Sequence, residues 1–347
     1  KLDKKLDKEV YQLKAFDTKA IEEINFSKTY KKDYYDLHKV THPIDGVKFI
    51  DSKTLLTWRN FHDVSVWSLE KKKKYCKILS KVRVCDVFID EDERILILAL
   101  DTGIIRVLSL SNYKTIACFD TKLSYPYKFI PDPNEKHFMV IGSQGYIYLY
   151  NYKKRVLIKK IEKYSTYTNA ILRNAGEYVL FDFNGKIALF SVANLQITNM
   201  TEIKGLSYTH GCKTSTENVV AIDYYAERVD QNTTRMTIAL LDINSFKILK
   251  TIPITGIAKL AFSKTLDRLL VLDKSGYLRV IDPGRNSHFE EEEIFIHSVR
   301  NPEAMENSKM ITGGLDCLDK TGDIALSVYR YDKKDDSTVK ILRLEDD

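Results

Sequence analysis

One short pattern, a turn followed by alternating apolar and polar residues, recurs seven times along this chain. A recurrence of that kind limits the fold more than any composition does. The copies are DVSVWSL (63 to 69), DTGIIRVLSL (101 to 110), SQGYIYLYNY (143 to 152), FNGKIALFSV (183 to 192), TIALLDI (237 to 243), KSGYLRVIDP (274 to 283) and TVKILRL (338 to 344). With Trp67 aligned to Leu108, Tyr150, Phe190, Leu241, Ile281 and Leu342, successive copies lie 41, 42, 40, 51, 40 and 61 residues apart.

A period near forty is that of a four-stranded propeller blade, and the two longer intervals are the same period with insertions of about ten and twenty residues. Glycine falls five residues before the aligned position at Gly103, Gly145, Gly185 and Gly276, where a tight turn entering the strand calls for positive φ. Each period divides into four short β-rich runs; the first gives VKFI, TLLTWR, DVSVWSL and KYCKIL. The last gives only three before the chain ends, and the spare alternating segment Tyr34 to Val40 is expected to supply the fourth and close the ring. The predicted fold is all-β: a seven-bladed β-propeller closed by an N-terminal strand and preceded by a short helical segment. A sandwich with a second domain does not generate seven matched registers.

With these residues in view, the chain resembles the WD40-repeat family over about residues 34 to 347. The best stretch is THPIDGVKFIDSKTLLTWRNFHDVSVWSL, where Thr41-His42 stands in place of Gly-His and Trp67-Ser68 in place of Trp-Asp. Only Leu241-Asp242 and Ile281-Asp282 keep the aspartate, and tryptophan is replaced in every copy but the first, which leaves apolar packing between blades to hold the ring. Trp67, Tyr150 and Phe190 read as strand core rather than as a stacking platform for a ligand. The entry segment SKTYKKDYYDLHKVTH is similar in layout to the linker of F-box/WD ubiquitin-ligase receptors, although the chain carries no F-box.

Residues 1 to 33 change period. Leu2, Leu6, Val10, Leu13, Phe16, Ala20, Ile21 and Ile24 recur at threes and fours, which predicts an amphipathic helical arm, either lying on its own propeller or, through residues 2 to 24, meeting a helical partner or a second copy.

No catalytic constellation is visible. The seven histidines are dispersed, and the chain holds neither HExxH, nor a CxxC pair, nor a phosphate loop ending in Lys-Ser/Thr. His210 and Cys212 offer two ligands without the two more that zinc needs. The expectation is a non-enzyme with no catalytic residue, cofactor or metal. Five scattered cysteines, no visible signal peptide and no apolar run near the length of a membrane span (about eighteen residues) point to cytoplasm or nucleus. The net charge of +6 sits beside 48 acidic residues, so it permits nucleic acid without arguing for it. The one local basic cluster, Lys71 to Lys74, falls at a hairpin tip, where lysines are commonly just solvated.

The insertions carry more. AERVDQNTT (226 to 234), RNPEAMENSK (300 to 309) and YDKKDDS (331 to 337) all fall between second and third strands or between blades, hence on one face, and in neighbouring blades five to seven. Loops lengthened together on a rigid scaffold are where recognition is placed. Their mixed charges, Arg228, Asp230, Arg300, Glu303, Arg330 and Lys333, with Tyr225, Tyr329 and Tyr331, suit a polar protein interface. The expected function is a protein-interaction scaffold or adaptor, such as the recognition subunit of a ubiquitin ligase; the alternative is an RNA-associated component of a ribonucleoprotein or ribosome-assembly complex.

Overall fold

The computed structural model describes residues 20–25 and 44–342, except 60, 72, 124–126, 143–145, 162–166, 183–184, 204–210, 215–217, 229–233, 255–256, 266, 274–276, 282–296, 299–309, 319, 322 and 331–335. These residues form seven four-stranded antiparallel sheets, six of them built from four strands consecutive in sequence. Around the molecule the innermost strand of one sheet lies against that of the next: Val84–Asp90 by Tyr127–Asp132, then Tyr167–Asn174, Gly211–Lys213, Ile257–Ser263 and Met310–Cys317, which returns to Gly46–Asp51. The sheets are therefore blades of a closed ring. Blades one and two share the cluster Ile50, Leu56, Val64 and Val66 with Val84, Val87, Leu96 and Leu98, and similar clusters fill the gaps onward to blade six.

The repeat explains this layering. Each blade is covered on both faces, so its middle strands are apolar on both sides; Ile95–Leu100 is buried at every residue. The aligned positions Trp67, Leu108, Tyr150, Phe190, Leu241 and Ile281 are all buried, and Tyr150 packs among Phe119, Phe138 and Phe129 with ring centroids within 5.3 Å along the chain of contacts. Gly103 and Gly185 have φ of +80° and +82°, the left-handed turn that their spacing predicts. Gly145 and Gly276 lie outside the described residues.

A second periodicity was not foreseen. In blades one to five the outermost strand carries one extra residue opposite the step just before the aligned position. The extra residues are Tyr75, Ile116, Ile158, Thr198 and Leu249. Such a bulge interrupts the hydrogen-bond ladder on the exposed edge, which discourages another chain from adding to it.

The same feature identifies the strand that completes blade seven. It is Ala20–Asn25, paired antiparallel with Asp336–Leu342, and Ile21 is the extra residue between the partners of Leu342 and Ile341. Closure through Tyr34 to Val40 is thus corrected, those residues lying outside the described set. The helical expectation for residues 2 to 24 is corrected over 20–24, and residues 1 to 19 lie outside the description. The physical reason is the bulge: one inserted residue turns the period of two into a spacing of three, so Ile21 and Ile24 imitate a helical face. In its place the open edge of the last strand supplies a hydrogen-bonding partner that a six-residue helix lacks.

The seam between blades seven and one is tight. A Cβ on Gly314 would lie 2.6 Å from the Val47 nitrogen and 2.8 Å from the Gly46 Cα, both backbone atoms. Gly314→Ala should therefore cost about 1 to 3 kcal/mol, as overpacking does, and show as a lower melting temperature. An unchanged melting curve would mean that the seam has room for a methyl group.

Candidate interaction face

The meander order brings the turns between first and second strands, and in blades one to six those between third and fourth, out on one face, here the turn face. The second-to-third hairpins and the connections between blades emerge on the other, the loop face. Two hairpins rise above the ring on the loop face. In blade four the described hairpin pairing ends at Phe181 opposite Ile187, three residues before the aligned Phe190; in blade five the equivalent pair is Asp223 and Ile238, yet the pairing continues through Arg228 opposite Thr234. Five residues at strand rise extend about 17 Å. In blade seven Met310 pairs with Arg330 and Arg330 with Asp336, while Gly314 already abuts the first residue of the inner strand of blade one.

Tyr225 and Arg228 lie on the first of these hairpins, opposite Met236 and Thr234, and Tyr329 and Arg330 lie on the second. Asp230, Arg300, Glu303, Tyr331 and Lys333 lie outside the described residues. The segments holding the last four join strand ends that the register sets side by side, Met310, Arg330 and Asp336.

A feature that sequence reasoning missed lies at the centre. The inner strands carry charged residues that meet near the ring axis: Lys48 of blade one, Lys128 of three and Lys259 of six all act on Asp86 of two, and Lys48 bonds Asp316 of seven. Lys48 Nζ donates to Asp316 Oδ1 at 2.8 Å, and the Phe49 N–H donates to Asp316 Oδ2 at 2.8 Å. Asp86 presents surface to the lumen yet is enclosed by protein, so burial pushes its carboxyl above the ordinary range against the pull of the Val87 N–H and of Lys48, Lys259 and Lys128. Burial lowers Lys259 in turn, against the pull of Asp86. Blades two and six share no sheet, so this mutual influence passes across the channel. The signal for it was one charged residue inside an otherwise apolar inner strand in several repeats.

A second set of ionic groups stitches blades together on the turn face. Asp90 of blade two accepts from Tyr152 Oη at 2.5 Å and Lys136 Nζ at 3.0 Å, both of blade three. Burial alone would raise its carboxyl; those donors and the Glu93 N–H hold it below the usual range. Asp132 of blade three accepts the Gly176 N–H of blade four at 2.7 Å. These aspartates are structural.

Other candidates fare differently. Trp67 donates Nε1–H to Thr57 Oγ1 at 2.9 Å inside the core. Lys74 turns back from the basic tip: its Nζ lies 3.8 Å from Asp63 Oδ2 and 5.9 Å from the centre of the Trp67 ring, while Lys71 and Lys73 face solvent. Cys212 packs in the core between blades five and six, where burial pushes its thiol up to about 12, the reverse of what a zinc ligand needs. Among the described residues no group of three or more His, Cys, Asp or Glu is placed to hold a metal ion, and no helix is long and apolar enough to cross a membrane.

No protein-family model and no curated protein matches the chain. Solved structures do. The Neurospora crassa Pan2 WD40 domain superposes with a TM-score of 0.66 at 10% identity, covering 93% of this chain and 94% of that one. A chain in the crystal structure of the mitotic checkpoint complex superposes with a TM-score of 0.64 at 10% identity, covering 89% and 90%. In fold, this chain is a β-propeller of the WD40 type.

Proposed function

We propose that the chain is a non-catalytic interaction scaffold that seats a protein partner on the loop face over blades five to seven. The observation that carries this reading is the pair of hairpins standing above the ring in blades five and seven, with the blade-seven hairpin beside the connection from blade six. Paired strands carry Tyr225, Arg228, Tyr329 and Arg330 off the body, which suits a partner that docks between the hairpins rather than a reaction needing an enclosed pocket. That one structural neighbour is a chain of a multiprotein checkpoint complex supports a role within an assembly. A ubiquitin-ligase recognition subunit is the specific form that the layout of the entry segment suggests; it predicts ligase subunits among the proteins that copurify with the native protein.

The test is affinity purification of the full chain beside the triple variant Arg228→Ala, Arg330→Ala, Tyr331→Ala, with bound proteins identified by mass spectrometry. The variant should fold as the parent does, since loop-face changes of this kind usually move stability by less than about 0.5 kcal/mol. It should lose the partner at least about tenfold, as removal of interface anchors does. Retention of the same partner at equal affinity would reject the loop face as its site. The RNA-associated alternative rests on the net charge of +6 and on Lys71 to Lys74, and the turn of Lys74 toward Asp63 takes one cation from that cluster.

A further inference from the structure

The exposed apolar side chains are not scattered. Of the seven large ones that face solvent among the described residues, five lie on the outermost strands of blades one to three: Tyr75 (72% exposed), Ile116 (40%), Val156 (48%), Leu157 (48%) and Ile158 (37%). Three of these, Tyr75, Ile116 and Ile158, are the bulge residues of their blades. All five sit within a few residues of a third-to-fourth-strand turn, hence at the outer corner of the turn face.

The same corner is basic. Lys71 and Lys73 lead into Tyr75, Lys114 into Ile116, and Lys153, Lys154 and Arg155 into Val156, with Lys159 and Lys160 following, all exposed. Lys160 Nζ stands 5.7 and 5.8 Å from the ring centres of Tyr146 and Tyr148. The arc is continuous: Tyr113 of blade two and Cys76 of blade one pack against one core cluster, and Ala117 of blade two and Tyr146 of blade three pack against the next, which contains Tyr148. Of the acidic residues nearby, Glu93 pairs with Lys153 at 2.7 Å and Glu91 with Lys320 at 2.8 Å, and Asp92 lies 3.9 Å from Lys136, while Glu70 is exposed beside Lys71, so the excess of cations and not the absence of acids makes the corner basic.

We propose that this corner of blades one to three docks the propeller on an anionic phospholipid surface. Three observations choose that occupant. Val156, Leu157 and Ile158 are consecutive, so strand geometry aims them to both sides of the edge, and no single protein groove receives all three, whereas a fluid interface surrounds a convex edge. The bulge at Ile158 breaks the ladder that an added peptide strand would need. Aliphatic side chains bracketed by lysines match an acyl boundary under negative headgroups, while a phosphate backbone gains nothing from the aliphatics. Docking there leaves the loop face pointing away from the surface and free for a partner.

Vesicle flotation of the full chain tests this. The protein should float with phosphatidylcholine vesicles containing phosphatidylserine, stay behind with phosphatidylcholine alone, and release as salt is raised. Lys154→Glu with Arg155→Glu, and separately Leu157→Ser with Ile158→Ser, should each lower the partition roughly tenfold or more without moving the melting temperature. The Arg228→Ala, Arg330→Ala, Tyr331→Ala variant should float as the parent does, which separates this surface from the partner face. A folded parent that ignores anionic vesicles overturns the proposal, and retention of a labelled RNA by that same protein would assign the corner to nucleic acid. Flotation that survives both pairs of substitutions would place the lipid contact elsewhere.

Discussion

Deleting residues 1 to 25 should lower the melting temperature by about 5 to 10 °C, several kcal/mol in a chain of this size, and make the protein prone to associate. The reason lies in blade seven, the one sheet among the described residues whose outer strand comes from the other end of the sequence. Without Ala20–Asn25 the strand Asp336–Leu342 becomes an open edge, and its register with Ile324–Arg330 is held from one side alone. Residues 310–317 of that blade also carry the contacts to blade one through Gly314 and Asp316, so loosening reaches the seam. Deletion of residues 1 to 19 spares the strand and should cost far less. Thermal unfolding of both variants decides: if the longer deletion melts with the parent, the closing strand is not Ala20–Asn25, and Tyr34 to Val40 regains that role.

The misassignment of this strand shows where sequence pattern loses force. Inner and middle strands are legible because two-sided burial gives long apolar runs and glycine marks the turns, as in Ile95–Leu100 before Gly103. Outer strands are different. A bulge in the outer strands of blades one to five and seven shifts the parity of the side chains partway along, so VLIKKI and KILKTI show apolar spacings of three that fit helix as well as strand. Only tertiary pairing resolves them. For blade seven the resolving partner lies more than three hundred residues away in sequence, beyond any local signal.

Site features divide along the same line. Loop length is a local property, so the insertions of blades five and seven stand out in the sequence, and the register adds that Tyr225, Arg228, Tyr329 and Arg330 ride on strands raised above the ring. Channel charge is a property of the closed ring. Lys48, Asp86, Lys128, Lys259 and Asp316 are single charged residues in separate repeats, and nothing short of the ring brings Lys259 under the influence of Asp86. The basic, apolar corner of blades one to three is intermediate. Lys71 to Lys74 is visible as a run, but the exposure of Val156 to Ile158 depends on the outermost place of that strand in its sheet.

Trp67→Ala should destabilise the fold by roughly 3 to 5 kcal/mol, the range of aromatic truncation in a core. Trp67 is 1% exposed and packs with Ile44, Val47, Phe49 and Leu55 of its own blade and with Leu318 and Ala325 of blade seven, so the truncation opens a cavity at the closing seam. It also removes the donor to Thr57, whose buried hydroxyl loses the 2.9 Å hydrogen bond. Trp67→Phe separates the two effects: it keeps most of the packing and loses the bond, and should cost about 1 to 3 kcal/mol. Chemical denaturation of both gives the order Ala below Phe below parent. Because Trp67 and the strand Ala20–Asn25 act on one seam, Trp67→Ala combined with deletion of residues 1 to 25 should depart from the sum of the single losses, as coupled sites do. Simple additivity would place the tryptophan outside the closure. A Trp67→Ala protein that melts with the parent and loses only a binding partner would make the residue a surface anchor, and the packing of the first blade against the seventh would then have to rest on Ile44, Val47, Phe49 and Leu318 without it.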